Sequence, residues 1–212
     1  QTWNLPLHHT MVLGTTGSGK GSIIHAVIRQ LFPLWKQGYA QFWGIDPKGT
    51  ELKPYAITTV FKEVAIAPND QPDLLNKVYA ELIRRSSSVQ INLEEGNLGR
   101  NFRLSRQNPL TVLVIDELLS VLQTWAGWGK EGKELYSMLT QILAQGRSLG
   151  IYVIAATQDA DKTLMGNMRN NFANAIILKQ SSVYMNDLFL GQDAAERGYD
   201  STEIPSANAA NN

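Results

Sequence analysis

The 212-residue chain predicts an α/β domain built on a mainly parallel sheet flanked by helices. Three observations carry that prediction. Short apolar, β-branched runs alternate with longer stretches in which apolar residues recur every three or four positions. Leu110 to Ile115 is almost continuously apolar, as a strand covered on both faces should be. The first apolar run leads at once into a glycine-rich turn and a helical stripe, the order of a strand–turn–helix unit.

Met11-Val12-Leu13 gives the first strand and stops at Gly14. Ile23, Ile24, Val27, Ile28, Leu31 and Phe32 form one face of the first helix, which Pro33 is expected to close. Gln41 to Ile45 reads as the second strand, ending at Asp46-Pro47, and Val64 to Ala67 as the third. Pro72 stands where a helix begins, and Leu74, Leu75, Val78, Tyr79, Leu82 and Ile83 carry its stripe as far as Ser87. Beyond the strand at Leu110, a loop over Trp125 to Gly132 leads into a helix with Leu135, Met138, Leu139, Ile142 and Leu143 on one side. Ile151 to Ala156 and Ala175 to Leu178 are the last strands, and a helix follows Ser181 before the chain turns polar. On this reading residues 1–205 form one domain and 206–212 a frayed tail.

A composition of 43% hydrophobic and 18% charged residues supports a packed core rather than a disordered chain. Nineteen basic residues balance nineteen acidic ones, which argues against a polybasic coat. The balance is uneven along the chain. Residues 84–106 hold Arg84, Arg85, Arg100, Arg103 and Arg106 against Glu94 and Glu95, and from Ser181 onward Arg197 faces Asp187, Asp193, Glu196, Asp200 and Glu203. The basic stretch suits phosphate groups. The absence of cysteine excludes disulfide frameworks, thiolate metal sites and cysteine nucleophiles. Apolar runs such as Ile151 to Ala156 fall far short of the ~20 residues of a membrane span. The chain opens on Gln1 without a signal peptide, and the expectation is a soluble domain cut from something longer.

Gly14-Thr15-Thr16-Gly17-Ser18-Gly19-Lys20 matches G-x-x-x-x-G-K in the strand-to-helix setting that the phosphate-loop motif requires. Its glycines let backbone N–H groups converge on phosphate oxygens, the helix N-terminus adds positive potential, and Lys20 reaches the β- and γ-phosphates. One position departs from the motif. The residue after the lysine should be a Ser or Thr whose hydroxyl binds Mg²⁺, and here it is Gly21, with Ser22 one place later. One residue along a helix swings a side chain by ~100°, so Ser22 does not simply replace it, and weakened or rearranged Mg²⁺ binding with slow hydrolysis is expected.

Val112-Leu113-Val114-Ile115 ends in Asp116-Glu117, the form of a Walker B strand: Asp116 for Mg²⁺, Glu117 to orient and deprotonate the attacking water. Gln158 closes the strand before it, placed to touch the γ-phosphate and report its loss. Asp46-Pro47-Lys48-Gly49 ends the second strand at the same carboxyl edge, where ligands bind in open α/β folds. The Asp-Glu pair points to the additional-strand ATPases rather than small GTPases, and no Asn-Lys-x-Asp guanine motif is present, since Asn76-Lys77 continues as Val78-Tyr79.

Together Gly14–Lys20, Asp46–Gly49, Val112–Leu118, Gly146–Ile151 running into Ala155–Gln158, Asn171–Leu178 and Leu190–Asp193 resemble the motor domain of the FtsK/SpoIIIE family of double-stranded DNA translocases. Lys20-Gly21-Ser22 and Leu143–Arg147 look most like the conjugative, plasmid-transfer branch of actinobacteria. The resemblance implies a RecA-like P-loop ATPase that uses ATP and Mg²⁺. It implies a ring, usually a hexamer, with double-stranded DNA in its pore, serving conjugative transfer or chromosome segregation. It also implies a cytoplasmic domain tethered to the inner face of the membrane through segments outside this chain.

In such a ring ATP is completed by an arginine from the neighbour, and Glu81-Leu-Ile-Arg84-Arg85 matches the family's Glu-x-x-Arg-Arg helix, which makes Arg84 and Arg85 the candidates. A solvated pair near a helix C-terminus is the alternative. The family's DNA-touching loops match the surroundings of Gly99-Arg100-Asn101 and the stretch Gly129–Glu134, with Lys130 and Lys133. Trp125 and Trp128 beside the latter either contact DNA or a neighbour, or pack beneath the loop. The chain after Pro205 lacks the glycine-rich strand that the resemblance leads one to expect. Two rival readings stand: a protein-pumping ATPase of type VII secretion, and, because of Gly21, a nucleotide-binding assembly module with little hydrolysis.

Overall fold

The computed structural model describes residues 6–94, 102–159 and 162–205, apart from the side chains of 90–94 and 162. The strands are β1 (Thr10–Leu13), β2 (Ala40–Ile45), β3 (Phe61–Ala65), β4 (Leu110–Ile115), β5 (Ile151–Thr157) and β6 (Asn174–Ile177). Among the described residues they form one parallel sheet in the order β3-β2-β4-β5-β1-β6. The register places Leu13 beside Thr157, and Ile115 beside both Ile45 and Ala155. The phosphate loop, Asp46, Asp116-Glu117 and Gln158 therefore all leave the sheet at its carboxyl edge. β5 lies between the strand that feeds the loop and the strand that ends in the acidic pair, which is the additional-strand arrangement.

The helices are α1 (Lys20–Lys36), α2 (Lys53–Ala56), α3 (Gln71–Glu94), α4 (Leu118–Ala126), α5 (Lys130–Gln145), α6 (Lys162–Met165) and α7 (Tyr184–Leu190). Successive side chains of a strand point to opposite faces, so β4 feeds two cores. Val112 and Val114 join Ile24 and Ile28 of α1, with Phe42, Leu52 and Phe61. Leu113 and Ile115 join Leu74, Leu75, Val78 and Leu82 of α3, Val121 and Trp125 of α4, and Leu139 and Ile142 of α5. Both faces are covered, which is why β4 reads as a nearly continuous apolar run, with Thr111 as its one polar residue.

The structure corrects the sequence reading at several boundaries. Pro33 lies inside α1 rather than closing it. A proline forfeits only its own N–H bond, its carbonyl still accepts from the Gln37 N–H, and Phe32 packs on Trp35 across the last turn. Gly38, at φ +83°, ends the helix instead. The third strand is Phe61–Ala65, earlier than Val64 to Ala67. Helix α3 runs past Ser87 to Glu94, and the Ser88 hydroxyl donates to the Arg84 carbonyl one turn back.

The largest difference follows Glu117. The stripe Leu118, Val121, Leu122 and Trp125 forms α4, so the expected loop over Trp125 to Gly132 shrinks to residues 127–129. Trp125 is fully buried and its indole N–H donates to Gln71 Oε1 at 3.0 Å. Gly132 sits inside α5, where a Cβ would overlap the Trp125 carbonyl, so this glycine lets the two helices pack closely. Among the described residues no helix is long and apolar enough to cross a membrane. The tail 206–212 lies outside the described residues.

Candidate functional site

The chain turns from β1 into α1 through Gly14–Gly19. Gly19 has φ +99°, a left-handed conformation that side chains rarely adopt, and it lets the helix open directly at Lys20. The Gly14 N–H donates to Thr157 O and the Thr15 N–H to Lys179 O, which hang the loop between β5 and the end of β6. The Lys20 ammonium donates to the carbonyls of Gly14, at 2.6 Å, and Thr15, at 3.2 Å. Burial lowers its pKa, while Glu117 and Asp116 oppose that shift.

Asp116 and Glu117 follow β4. Asp116 is buried, and its carboxyl is pushed up to about 6, first by burial and then by the carboxylates of Asp46, Glu51 and Glu117, with Lys48 opposing. Glu117 takes a left-handed backbone, φ 61° and ψ 63°, at the start of α4. That conformation costs a non-glycine residue about 1–3 kcal/mol and marks a position held for its side chain. The carboxylate is fully engaged. Its Oε1 accepts from the Gln158 N–H at 3.0 Å and lies 3.1 Å from the Thr157 hydroxyl, and its Oε2 pairs with Lys48 Nζ at 3.0 Å. Gln158 Oε1 accepts from the Thr16 hydroxyl at 3.1 Å.

The predicted residues Thr16, Gly17, Gly19, Lys20, Gly21, Ser22, Asp116, Glu117 and Gln158 line one cavity of about 490 Å³. A run of N–H groups at the start of a 17-residue helix, a lysine and a lysine-paired glutamate suit a polyphosphate and an attacking water. Gly14, Thr15 and Ser18 shape the loop beneath it. Four further lining residues, His25, Lys48, Thr50 and Glu51, escaped the sequence reading as site residues, although Lys48 stands in the noted Asp46–Gly49 segment. Asp46 itself is fully buried and turned away from ligand work. Its Oδ1 accepts from the Gly49 N–H and its Oδ2 from those of Glu51 and Leu52, so it folds the loop that presents Lys48 and Glu51.

The two arginines separate. Arg84 is about half exposed, bound to Glu81 and Asn108. Arg85 is almost wholly buried at the opposite, amino edge of the sheet. It donates to the carbonyls of Leu149, Gly150 and Pro109, to the Thr111 hydroxyl and to Glu81, and lies over the Phe102 ring. Every arm of Arg85 is committed within its own chain, which leaves Arg84 as the accessible member. Lys130 and Lys133 are exposed on the first turn of α5, not on a loop, and Lys130 faces Glu134 at 3.7 Å. Arg100 and Asn101 lie outside the described residues.

Comparison with known proteins bears on this site. Residues 1–94 match the model of the FtsK/SpoIIIE family. The chain is 28% identical over 201 residues to a DNA translocase FtsK of Staphylococcus aureus, covering 89% of this chain and 25% of that protein. It is also 28% identical over 205 residues to the FtsK of Halalkalibacterium halodurans, with coverages of 89% and 25%. The chain thus spans a quarter of the length of these relatives.

Among solved structures, the pCW3 conjugation coupling protein TcpA, with ATPγS, superposes with a TM-score of 0.70 at 21% identity, over 90% of this chain and 54% of that one. ATPases 2 and 3 of EssC from Geobacillus thermodenitrificans give 0.72 at 16% identity, over 94% and 36%. The fold is that of these P-loop ATPases. With its motif set and its additional-strand sheet, the chain is thus similar to the FtsK/SpoIIIE family, by the match of residues 1–94 to that family's model and by its likeness to the FtsK translocases.

Proposed function

We propose that the chain is the ATP-hydrolysing motor domain of a ring-forming translocase of double-stranded DNA. One observation carries the reading: Lys20, Asp116, Glu117 and Gln158, from three separate strand ends, meet in one cavity. Lys20 and the loop N–H groups bind the phosphates. Glu117 takes the proton of the attacking water, and for that its carboxylate must exchange Lys48 for the water. Gln158, hydrogen-bonded to the phosphate loop through Thr16 and to Glu117 through its own N–H, is wired to both and senses the γ-phosphate.

The donor set fits Mg²⁺, a hard cation that takes oxygen ligands: Asp116 has the carboxylates of Asp46, Glu51 and Glu117 around it, with Lys48 and Lys20 as the nearby cations. Asp116 would hold the ion, which supplies neutralisation of phosphate charge when bound. A neighbour's Arg84 completes the site in the ring, and the exposed Lys130 and Lys133, with Arg100 and Asn101, meet DNA phosphates. Residues 1–205 act as one unit, held at the inner face of the membrane by segments outside this chain. The similarity to the FtsK translocases supports DNA as the cargo.

The fold is shared with a type VII secretion ATPase, EccC of Thermomonospora curvata, so it does not by itself separate a DNA motor from a protein pump. The ATP hydrolysis rate, with and without double-stranded DNA, does. Stimulation by DNA is expected. Turnover indifferent to DNA favours a protein cargo, and ATP binding without turnover favours an assembly module.

A further inference from the structure

Gly21 removes the hydroxyl that the phosphate-loop motif supplies to its metal. The space is not left open. A Cβ built on Gly21 would overlap the Glu51 carboxylate, coming within 2.7 Å of Oε1 and closer still to Oε2. An oxygen donor from the loop after β2 thus stands where the side chain following Lys20 would stand. The two features depend on each other: only a glycine lets that carboxylate in, and only a side chain reaching over from another loop restores an oxygen there.

Glu51 is held at both ends. Its N–H donates to Asp46 Oδ2 at 3.0 Å, within the turn that the buried Asp46 organises. Its Oε2 lies 3.3 Å from His25 Nε2, and His25 Nδ1 lies 2.9 Å from the Tyr55 hydroxyl. The imidazole thus stands between the tyrosine hydroxyl and the carboxylate, with Nε2 facing Glu51. Such outer partners aim ligands at metals. Glu51, His25 and Asp116 all line the cavity that Lys20 enters.

We infer that Glu51 is the oxygen ligand that replaces the missing phosphate-loop hydroxyl, so that the Mg²⁺ accompanying the nucleotide is held by Glu51 and Asp116 from two different strand ends. The inference rests on the reading of this cavity as an ATP site, and it changes what Gly21 means. The motif's metal function is moved to another loop rather than lost, and restoring a serine at Gly21 alone forces the Glu51 carboxylate out of its place.

Binding of a fluorescent ATP analogue, titrated with MgCl₂ and repeated in EDTA, tests this without any need for turnover. Glu51→Gln keeps the shape and loses the charge. It is expected to raise the Mg²⁺ midpoint at least about tenfold, the low end of what losing even an outer-shell partner costs, while the analogue still binds in EDTA, no more weakly than to the parent. Glu51→Ala should do the same, and Gly21→Ser/Glu51→Ala, which returns the oxygen to its usual position, should bring the midpoint back toward the parent. An unchanged midpoint in Glu51→Gln overturns the inference, as does a double variant no better than Glu51→Ala. A parent that binds no analogue contradicts the nucleotide reading itself. EDTA-state binding by each variant shows that its site is folded.

Discussion

At the amino ends of β4 and β5, Arg85 donates to three carbonyls, a hydroxyl and a carboxylate. At the carboxyl ends of the same two strands, Asp116 is buried among Asp46, Glu51 and Glu117, and Glu117 sits in a left-handed backbone. Both ends bury charge. At one end every donor is answered by a partner inside the chain. At the other, carboxylates face one another with Lys48 and Lys20 as the nearby cations. Answered buried charge fixes a fold, whereas like charges gathered in a cavity are held for something that arrives from outside.

The strongest way to break the contrast is at Glu117. Glu117→Gln should lower ATP turnover by about 10²–10⁴-fold, the range that a positioned base supplies, while nucleotide binding persists. Hydrolysis at the parent rate would remove Glu117 from the chemistry.

Next is the amino edge. Arg85→Ala takes the buried guanidinium away from the carbonyls of Leu149, Gly150 and Pro109 and should cost about 3–5 kcal/mol in urea unfolding. Arg84→Ala, at a half-exposed position, should stay within about 0.5 kcal/mol. In an assembled ring only Arg84→Ala should lower turnover without lowering stability. Equal losses of stability in the two variants would erase the distinction between them.

A smaller effect concerns pH. The Asp116 carboxyl is raised from 3.8 to about 6. A raised folded-state value means that the native chain holds this proton more tightly than the unfolded one. The contribution of Asp116 therefore favours folding at pH 4 and is lost as pH rises to about 6. Asp116→Asn should stabilise the chain at pH 7 by on the order of 3 kcal/mol, a gain that shrinks toward pH 4. Stability curves for parent and variant that run parallel over this interval would mean that Asp116 carries no such burden.

The mildest change is at the start of α5. Lys130→Ala/Lys133→Ala should weaken double-stranded DNA binding on all sequences alike and flatten the log K against log salt slope by roughly 0.9 per lost phosphate contact. An unchanged slope with real DNA binding would move the contact to the basic stretch around Arg100 to Arg106.

The sheet and most of its carboxyl edge were legible in the sequence because each strand end carries a short, local signature: glycines and a lysine after β1, Asp116-Glu117 after β4, Gln158 after β5. What was not legible depends on partners far along the chain. Helix α4 was hidden by the glycines at 127, 129 and 132, and only the approach of α5 to Trp125 shows that Gly132 belongs inside a helix. Lys48 and Glu51 carry no motif of their own and are placed by the turn that buried Asp46 organises. Arg84 and Arg85 are indistinguishable as a dipeptide, but one residue along a helix is a turn of ~100°, enough to send one to solvent and the other under the sheet.

The division between the two edges rests finally on whether the carboxyl edge takes a nucleotide. A fluorescent ATP analogue, titrated with Mg²⁺ present into the parent and into Lys20→Ala, tests that most directly. The account predicts saturable binding of one analogue per chain in the parent and none in Lys20→Ala, with both proteins unfolding at the same urea concentration when no nucleotide is added. Equal binding by the two proteins would contradict it.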